Sequence, residues 1–543
     1  MTADAAQRVV VVTGGGGGIG AAIAEELGRQ GAFVVTMDPL VSLDGSEELP
    51  PPEETTAGRI VAAGGSARAT SVSVTDGNAV RDLFEELGRV DAVINVAGIT
   101  RPTSFTRGTE DDWRSVLSVH LEGYLHVLGA ALPMMAAAGH GRILGVTSGS
   151  GWRPADTGAY GCAKRAVAAL TWELGRCAPE GVVINAMSPI AVTRMVTAAL
   201  ARVPASGSKG GSSSTGGLSL GSMPQPEELG PLGAHLVGPD LSWCSGQVIF
   251  AGGSEVAVIE PPRLLEVVRT SDAASLAAVL DAVVPGALAP AEAEQLSAGA
   301  SNPRFGAIFD DAPRDPGTAP AVRSCAVVTD RPELGAAIDT ALSSGSIVAH
   351  RLDAATDPEQ WAAAPGAAGA VDAVVLALAG PRAGKGAAWE RVLVEHAGVA
   401  DGIRVDAAWA RGVAAVARAS GQPMRLVTLT DATTAGGRGR AQAAAQHARS
   451  ARRATDDRVA GFAISLESID AVDLGSAAQL VAHLLGSADS PSLSGAELVV
   501  GSGWLGLRSH PRPAASFTLG GPAIPPWFDG ALRQVIGADQ EER

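Results

Sequence analysis

Short, nearly unbroken apolar runs recur along the first half of the chain. They are RVVVVTG (8–14), AFVVTMD (32–38), VDAVINVAG (90–98), GRILGVTS (141–148), GVVINAMS (181–188) and GQVIFAGG (246–253). Alternating runs would suit strands with one wet face, whereas continuous runs suit strands covered on both faces. Between them lie segments with apolar positions at helical spacing, as in 21–31, 113–132 and 162–177. Strands alternating with helices in this way predict an α/β fold with a doubly wound, parallel, Rossmann-like sheet.

Three segments interrupt the rhythm. Residues 41–57 form a Pro/acidic insertion, and 204–223 are Gly/Ser-rich. Residues 259–321 open on apolar pieces, PRLLEVVR and AASLAAVLDAVV, which read as helical, and continue into a Pro/Gly/Asp-rich run. From about 323 the alternation restarts, and four segments match earlier ones in the same order. WRSVLSVHLEG (113–123) matches WERVLVEHAG (389–398), with a Trp-to-His spacing of seven in both. VDAVINVAG matches VDAVVLALAG, GRILGVTSG matches MRLVTLTDA, and SGQVIFAGG matches SGAELVVGS. Ordered matches of this kind argue for a tandem duplication. The expected organisation is a first domain at 1–258, a linker with a helical segment at 259–321, a second domain of the same kind at 322–510, and a Pro-rich tail at 511–543.

Composition narrows the function classes. With 543 residues and 46% apolar content the chain has material for two cores, and general disorder is excluded. A formal net charge of −16 gives no basic face for a phosphate backbone, so no nucleic-acid partner is expected. The four cysteines are scattered without metal-ligand spacing, which favours a reducing, cytoplasmic setting with no metal site. No window approaches the ~18 uninterrupted apolar residues of a membrane span. There are only two tyrosines, Tyr124 and Tyr160.

The first candidate chemistry is the run Thr13-Gly14-Gly15-Gly16-Gly17-Gly18-Ile19-Gly20, which lies between the first expected strand and the first expected helix. A loop in that context aims backbone N–H groups and a helix N-terminus at a diphosphate. Asp38 closes the second expected strand, 18 residues after Gly20. A carboxylate there can accept from ribose hydroxyls and would repel a 2′-phosphate. This favours NAD(H), with NADP(H) as the alternative.

Taken together with Asn95-Val96-Ala97-Gly98, Ser148, Tyr160-Gly161-Cys162-Ala163-Lys164 and the closing turn Gly252-Gly253, the glycine run resembles the short-chain dehydrogenase/reductase family over about residues 8–255. The resemblance implies an oxidoreductase in which Ser148, Tyr160 and Lys164 are catalytic. It implies cofactor contacts from Thr13, Gly14, Gly18, Ile19, Gly20, Asp38, Ser73, Val74, Asn95, Ala97, Gly98, Tyr160, Lys164, Pro189 and Thr193. Tyr160 and Lys164 are four apart, hence on one face of a helix. A free phenol, with pKa near 10, is a poor base at neutral pH, and a neighbouring ammonium lowers that value. Tyr160 is then the acid/base for a secondary alcohol or ketone, and Ser148 holds the developing charge.

The sequence departs from the family in places. His120 stands at the helix asparagine of the water relay; it can bridge to that water or be a satisfied core histidine, and both readings stay open. Ser73 replaces the adenine-side aspartate, and Pro189-Ile190 replaces the Pro-Gly before the substrate lid, expected over 194–225. Segments 37–45 and 119–123 resemble the branch that includes 3-hydroxyacyl-CoA dehydrogenases, implying a β-hydroxy or β-keto acyl, thioester-like or polyketide-like substrate. Alternatives are a polycyclic ketone in secondary-metabolite tailoring, or a catalytically silent nucleotide-binding scaffold.

Both tyrosines lie in the first copy, so the second cannot hold a Tyr-x-x-x-Lys pair. Asp431 aligns with Ser148, and the glycine run becomes Thr329-Asp330-Arg331-Pro332-Glu333-Leu334-Gly335. Its carboxylates would repel a diphosphate. The second copy is expected to be a silent partner domain, forming an intramolecular pseudo-dimer, with further homodimerisation expected.

Overall fold

The computed structural model describes residues 7–153, 155–201, 223–269, 280, 284, 322–364, 370–380 and 384–537. The first sheet contains β1 (Val9–Thr13), β2 (Phe33–Met37), β3 (Ser66–Thr70), β4 (Ala92–Asn95), β5 (Gly141–Val146), β6 (Val182–Pro189) and β7 (Val248–Gly252). These run parallel in the order 3-2-1-4-5-6-7, and β8 (Glu255–Glu260) returns antiparallel beside β7. Strands β1, β2, β4, β5 and β7 are buried at every position, as the unbroken apolar runs require. The edge strand β3 (SARAT) mixes buried and exposed positions and gives no apolar run in the sequence.

After β9 (Leu264–Arg269), a second sheet is built from β10 (Ser324–Thr329), β11 (Val348–Leu352), β12 (Ala373–Ala377), β13 (Met424–Asp431), β14 (Val459–Leu466), β15 (Glu497–Gly501) and β16 (Trp504–Arg508). Its order is 11-10-12-13-14-15-16, parallel as far as β15. This is the α/β, Rossmann-like architecture expected from the alternating pattern, present twice.

Two segments end up in places the pattern did not suggest. Residues 264–269, read above as helical, form β9, which pairs antiparallel with β16 of the second sheet. The run LLEVVR suits either period, and the open edge of β16 decides it. The tail strand β17 (Arg512–Thr518) pairs with β8 of the first sheet. The chain therefore exchanges edge strands reciprocally between its two sheets. Each exchange covers a row of unpaired backbone groups that would otherwise template association. The helix Phe528–Ile536 follows β17 onto the first sheet, where Phe528 and Leu532 are fully buried beside Leu232 and Ile249. Burying each such side chain is worth about 1.5–3 kcal/mol. The second apolar piece of the expected linker lies almost wholly outside the described residues.

The domains meet through helices. Glu110–Leu117, Gly123–Ala138 and Gly158–Gly175 of the first pack on Ala388–His396, Val399–Ser420 and Ala435–Ala454 of the second. One continuous core runs from Val9 and Val11 through Leu170 to Ile403 and Ala443. Small residues on Ala435–Ala454 permit the close approach. Polar groups are sealed within the interface. Arg165 and Glu497, both 0% exposed, pair at 3.0 Å, and Gln442 joins them. Arg438 grips Glu173 with two hydrogen bonds of 2.8 and 2.7 Å.

Candidate active site

The parallel order brings the carboxyl ends of β1, β2, β4, β5 and β6 to one edge of the first sheet, the usual place for a ligand in such folds. The glycine loop leaves β1 there and opens the helix Gly18–Arg29, whose first turn holds Ile19 and Gly20. Gly14 has φ +63°, and a Cβ on it would lie 2.8 Å from the Ala97 nitrogen. Only glycine fits that crossing. Asp38 reaches back under the loop, where its carboxylate accepts from the Gly16 N–H (3.0 Å) and the Leu40 N–H (2.9 Å). A side chain on Gly16 would collide with that carboxylate.

The segment after β4 is stitched to β1. The Thr13 hydroxyl donates to Asn95 Oδ1 (3.0 Å) and accepts the Ala97 N–H (3.2 Å). Gly98 lies under the His120 ring, 2.5 Å from its would-be Cβ to Cε1. Beyond β3, the hydroxyls of Ser73 and Thr75 share a hydrogen bond of 2.8 Å, and buried Val74 packs on Gly123. Pro189 ends β6, and the Thr193 methyl stands 3.6 Å from the position of a Cβ on Gly18. Thr193 thus faces the glycine loop from the opposite side. The expected lid over 194–225 lies largely outside the described residues.

Ser148 follows β5, and Tyr160 and Lys164 lie one turn apart on the helix Gly158–Gly175. The Ser148 hydroxyl is a neighbour of the Tyr160 phenol. Burial holds the Tyr160 phenol above its ordinary pKa, and the Ser148 hydroxyl pulls it partly back. Lys164 Nζ donates to the Val146 carbonyl at 2.6 Å and sits 5.7 Å from the Tyr160 ring centroid. Burial lowers its ammonium pKa to about 7. The structure therefore gathers Ser148, Tyr160 and Lys164 at the same sheet edge as the glycine loop.

His120 joins them. Its helix carries a π-helical turn over Ser118–Glu122, a local widening that often marks a working site. The His120 ring meets Tyr160 edge-to-face at 5.1 Å and 86°. Its Nε2 lies 2.8 Å from the Ile99 carbonyl oxygen and 3.2 Å from the Ile99 nitrogen, and among the described residues its buried Nδ1 has no hydrogen-bond partner. Burial, then the nearby Lys164 charge, lowers its pKa to about 3, so the ring is neutral at physiological pH.

One group of residues was not signalled by any motif. Gln442, Gln446 and Arg449 of the second domain lie on one face of Ala435–Ala454 and reach the helix of Tyr160 and Lys164 and the loop of Ser148. Their spacing of four and three on an Ala-rich helix is the signal that could have found them. The corresponding edge of the second domain differs from the first. Registers along β5, β13 and their neighbours set Asp431 in the place of Ser148. There it faces Arg331 at 3.4 Å.

Comparison with known proteins bears on this arrangement. The short chain dehydrogenase family matches residues 8–203. A Streptomyces niveus protein, "Short-chain reductase protein NovJ", is 30% identical over 242 residues, covering 44% of this chain and 89% of that protein. The chain belongs to the short-chain dehydrogenase/reductase family. A peroxisomal hydratase-dehydrogenase-epimerase from Neurospora crassa is 29% identical over 262 residues, covering 47% of this chain and 27% of that protein. A solved short chain dehydrogenase from Mycobacterium avium is 30% identical, covering 47% of this chain and 84% of that one, with a TM-score of 0.37. The chain is thus an oxidoreductase of a family that uses NAD(P)(H) and acts on small molecules. The residues present fit such a cofactor. The Gly18 end of the glycine loop faces Thr193, among the described residues no atom beyond its chain neighbours lies within 4 Å of a Cβ on Gly17, and Asp38 follows the end of β2.

Proposed function

We propose that this protein interconverts a secondary alcohol and a ketone at one site, with Tyr160 as the acid/base. The observation that carries this reading is the cluster of Tyr160, neighboured by Ser148 and flanked by Lys164 and His120, at the same sheet edge as the glycine loop. Bound NAD(H) would supply or accept the hydride. In reduction Tyr160 gives its phenolic proton to the forming alkoxide, and in oxidation it takes that proton back. Ser148 donates to the same substrate oxygen and stabilises charge that builds there. Lys164, when protonated, favours the phenolate. His120 presents at Nδ1 a lone pair when Nε2–H meets the Ile99 carbonyl, or an N–H when Nε2 accepts the Ile99 N–H, and either form fits a proton-relay position behind Tyr160. Asp38 supports NAD(H) over NADP(H).

The substrate class that fits the sequence is a β-hydroxy or β-keto acyl or polyketide-like compound, with a polycyclic ketone as the alternative. The likeness to a reductase and to a hydratase-dehydrogenase-epimerase is consistent with the first. The second domain serves as a silent pseudo-subunit: it holds no tyrosine, and Asp431 and Arg331 occupy the corresponding edge. Replacing Tyr160 by Phe should reduce turnover to background on a panel of ketones while NADH still binds. Retained turnover in that variant would remove Tyr160 from the mechanism.

A further inference from the structure

The loop that leaves Ser148 is held by the second domain. The Ser148 carbonyl accepts the Gly151 N–H at 2.9 Å, so the turn Gly149–Gly151 is tied directly to the serine. The outer carbonyls of this loop face the helix Ala435–Ala454. Gln446 Nε2 donates to the Ser150 carbonyl at 3.0 Å and to the Arg153 carbonyl at 2.8 Å. The Arg449 guanidinium donates to the Trp152 carbonyl. Gln446 also accepts from Arg165 at 3.4 Å, and Arg165 is the residue next to Lys164. One buried amide therefore joins the helix of Tyr160 and Lys164 to the loop of Ser148.

The two domains differ at these positions. Val182 opens β6 and Val459 opens β14, and the two strands occupy the same place in their sheets. Gln446 and Arg449 lie 13 and 10 residues before Val459. The residues at those distances before Val182 are Ala169 and Trp172, which carry neither an amide nor a guanidinium. The loop after β13 is also shorter, since the next helix begins at Ala435. The second domain thus supplies the donors that hold the Ser148 loop of the first.

We propose that Gln446 and Arg449 are positioning residues for the active site: the silent domain fixes the Ser148 loop in cis and so sets where the Ser148 hydroxyl stands against Tyr160. This rests on the catalytic reading of Ser148 and Tyr160 given above. A loop bonded only within its own domain would sample other positions, and a displacement near 1 Å at a catalytic group can cost up to about a hundredfold in rate.

The test uses the full chain. Gln446→Leu and Arg449→Met remove the donors and keep the volume, and Arg449→Lys keeps a donor. Arg438→Met removes a different contact between the domains, the pair with Glu173. Two readouts are taken: hydrogen exchange of residues 149–153, and kcat with KM for a ketone and NADH. Gln446→Leu and Arg449→Met should speed exchange in 149–153 and lower kcat about tenfold or more, with NADH affinity within twofold of the parent. Arg449→Lys should recover most of the lost kcat. Arg438→Met should leave kcat and exchange in 149–153 unchanged.

Unchanged exchange in Gln446→Leu overturns the proposal, as does an equal loss of kcat in Arg438→Met. Because exchange needs no turnover, it decides the loop contact even if Tyr160→Phe remains active and the catalytic reading falls.

Discussion

Replacing Glu497 by Val should destabilise the chain far more than an ordinary surface change. Glu497 lies on β15 opposite Ala463, and the matching register in the first sheet places Val248 opposite Ala186. The second sheet therefore carries a carboxylate where the first carries a valine. Arg165, 0% exposed, faces it at 3.0 Å, and burial pushes the Glu497 carboxyl above its ordinary pKa while Arg165 opposes that shift. Glu497→Val keeps an apolar strand but leaves Arg165 buried without its counter-charge, which costs about 3–5 kcal/mol. At about 2.1 cal/mol/K per residue, cooperative unfolding of 543 residues carries an entropy near 1.1 kcal/mol/K. A loss of about 4 kcal/mol then lowers Tm by roughly 3–4 °C, readable by calorimetry. The double variant Arg165→Met/Glu497→Val removes both charges and should recover at least half of the loss. A shift below about 1 °C for Glu497→Val, or a double variant worse than the single, would refute this account of the interface.

Acid should weaken the fold through two buried imidazoles. His120 and His447 are both held near a pKa of about 3, chiefly by burial, against an ordinary value of 6.5. The unfolded chain takes up those protons first, so the stability is complete above about pH 6.5 and is lost as pH falls below it, by about 2 kcal/mol per group at pH 5. Asp156, raised to about 6 by burial, works in the opposite direction. His447 is packed between Phe105 and Trp113 at 4.8 and 5.5 Å. Its replacement by Leu should therefore flatten the acid limb of a stability-versus-pH curve, and an unchanged limb would dismiss its part. Replacing Asp38 by Ala should weaken NADH binding and narrow or reverse the preference over NADPH in a titration of both. An unaltered ratio would show that Asp38 serves only the Gly16 and Leu40 amides.

The sequence by itself determined the parts whose physics is local. Unbroken apolar runs marked six of the seven parallel strands of the first sheet, because strands covered on both faces must be apolar throughout. The edge strand β3 was not legible, because half-exposed positions carry no such demand. The glycine run and Asp38 were legible for the same reason, since each depends on a strand end or a helix start, while Ser148, Tyr160 and Lys164 were legible through their resemblance to the family's motifs. The tyrosine count alone confined any Tyr-based site to the first domain.

Tertiary structure decided which edges and faces meet. LLEVVR became a strand because β16 offered an open edge, and residues 512–518 crossed to β8 because that edge was open as well. The π-turn that sets His120 against Tyr160, and the amide of Gln446 that joins the Ser148 loop to the helix of Tyr160 and Lys164, likewise depend on neighbours far along the chain. Periodicity reports how much of a segment is buried, but not what buries it.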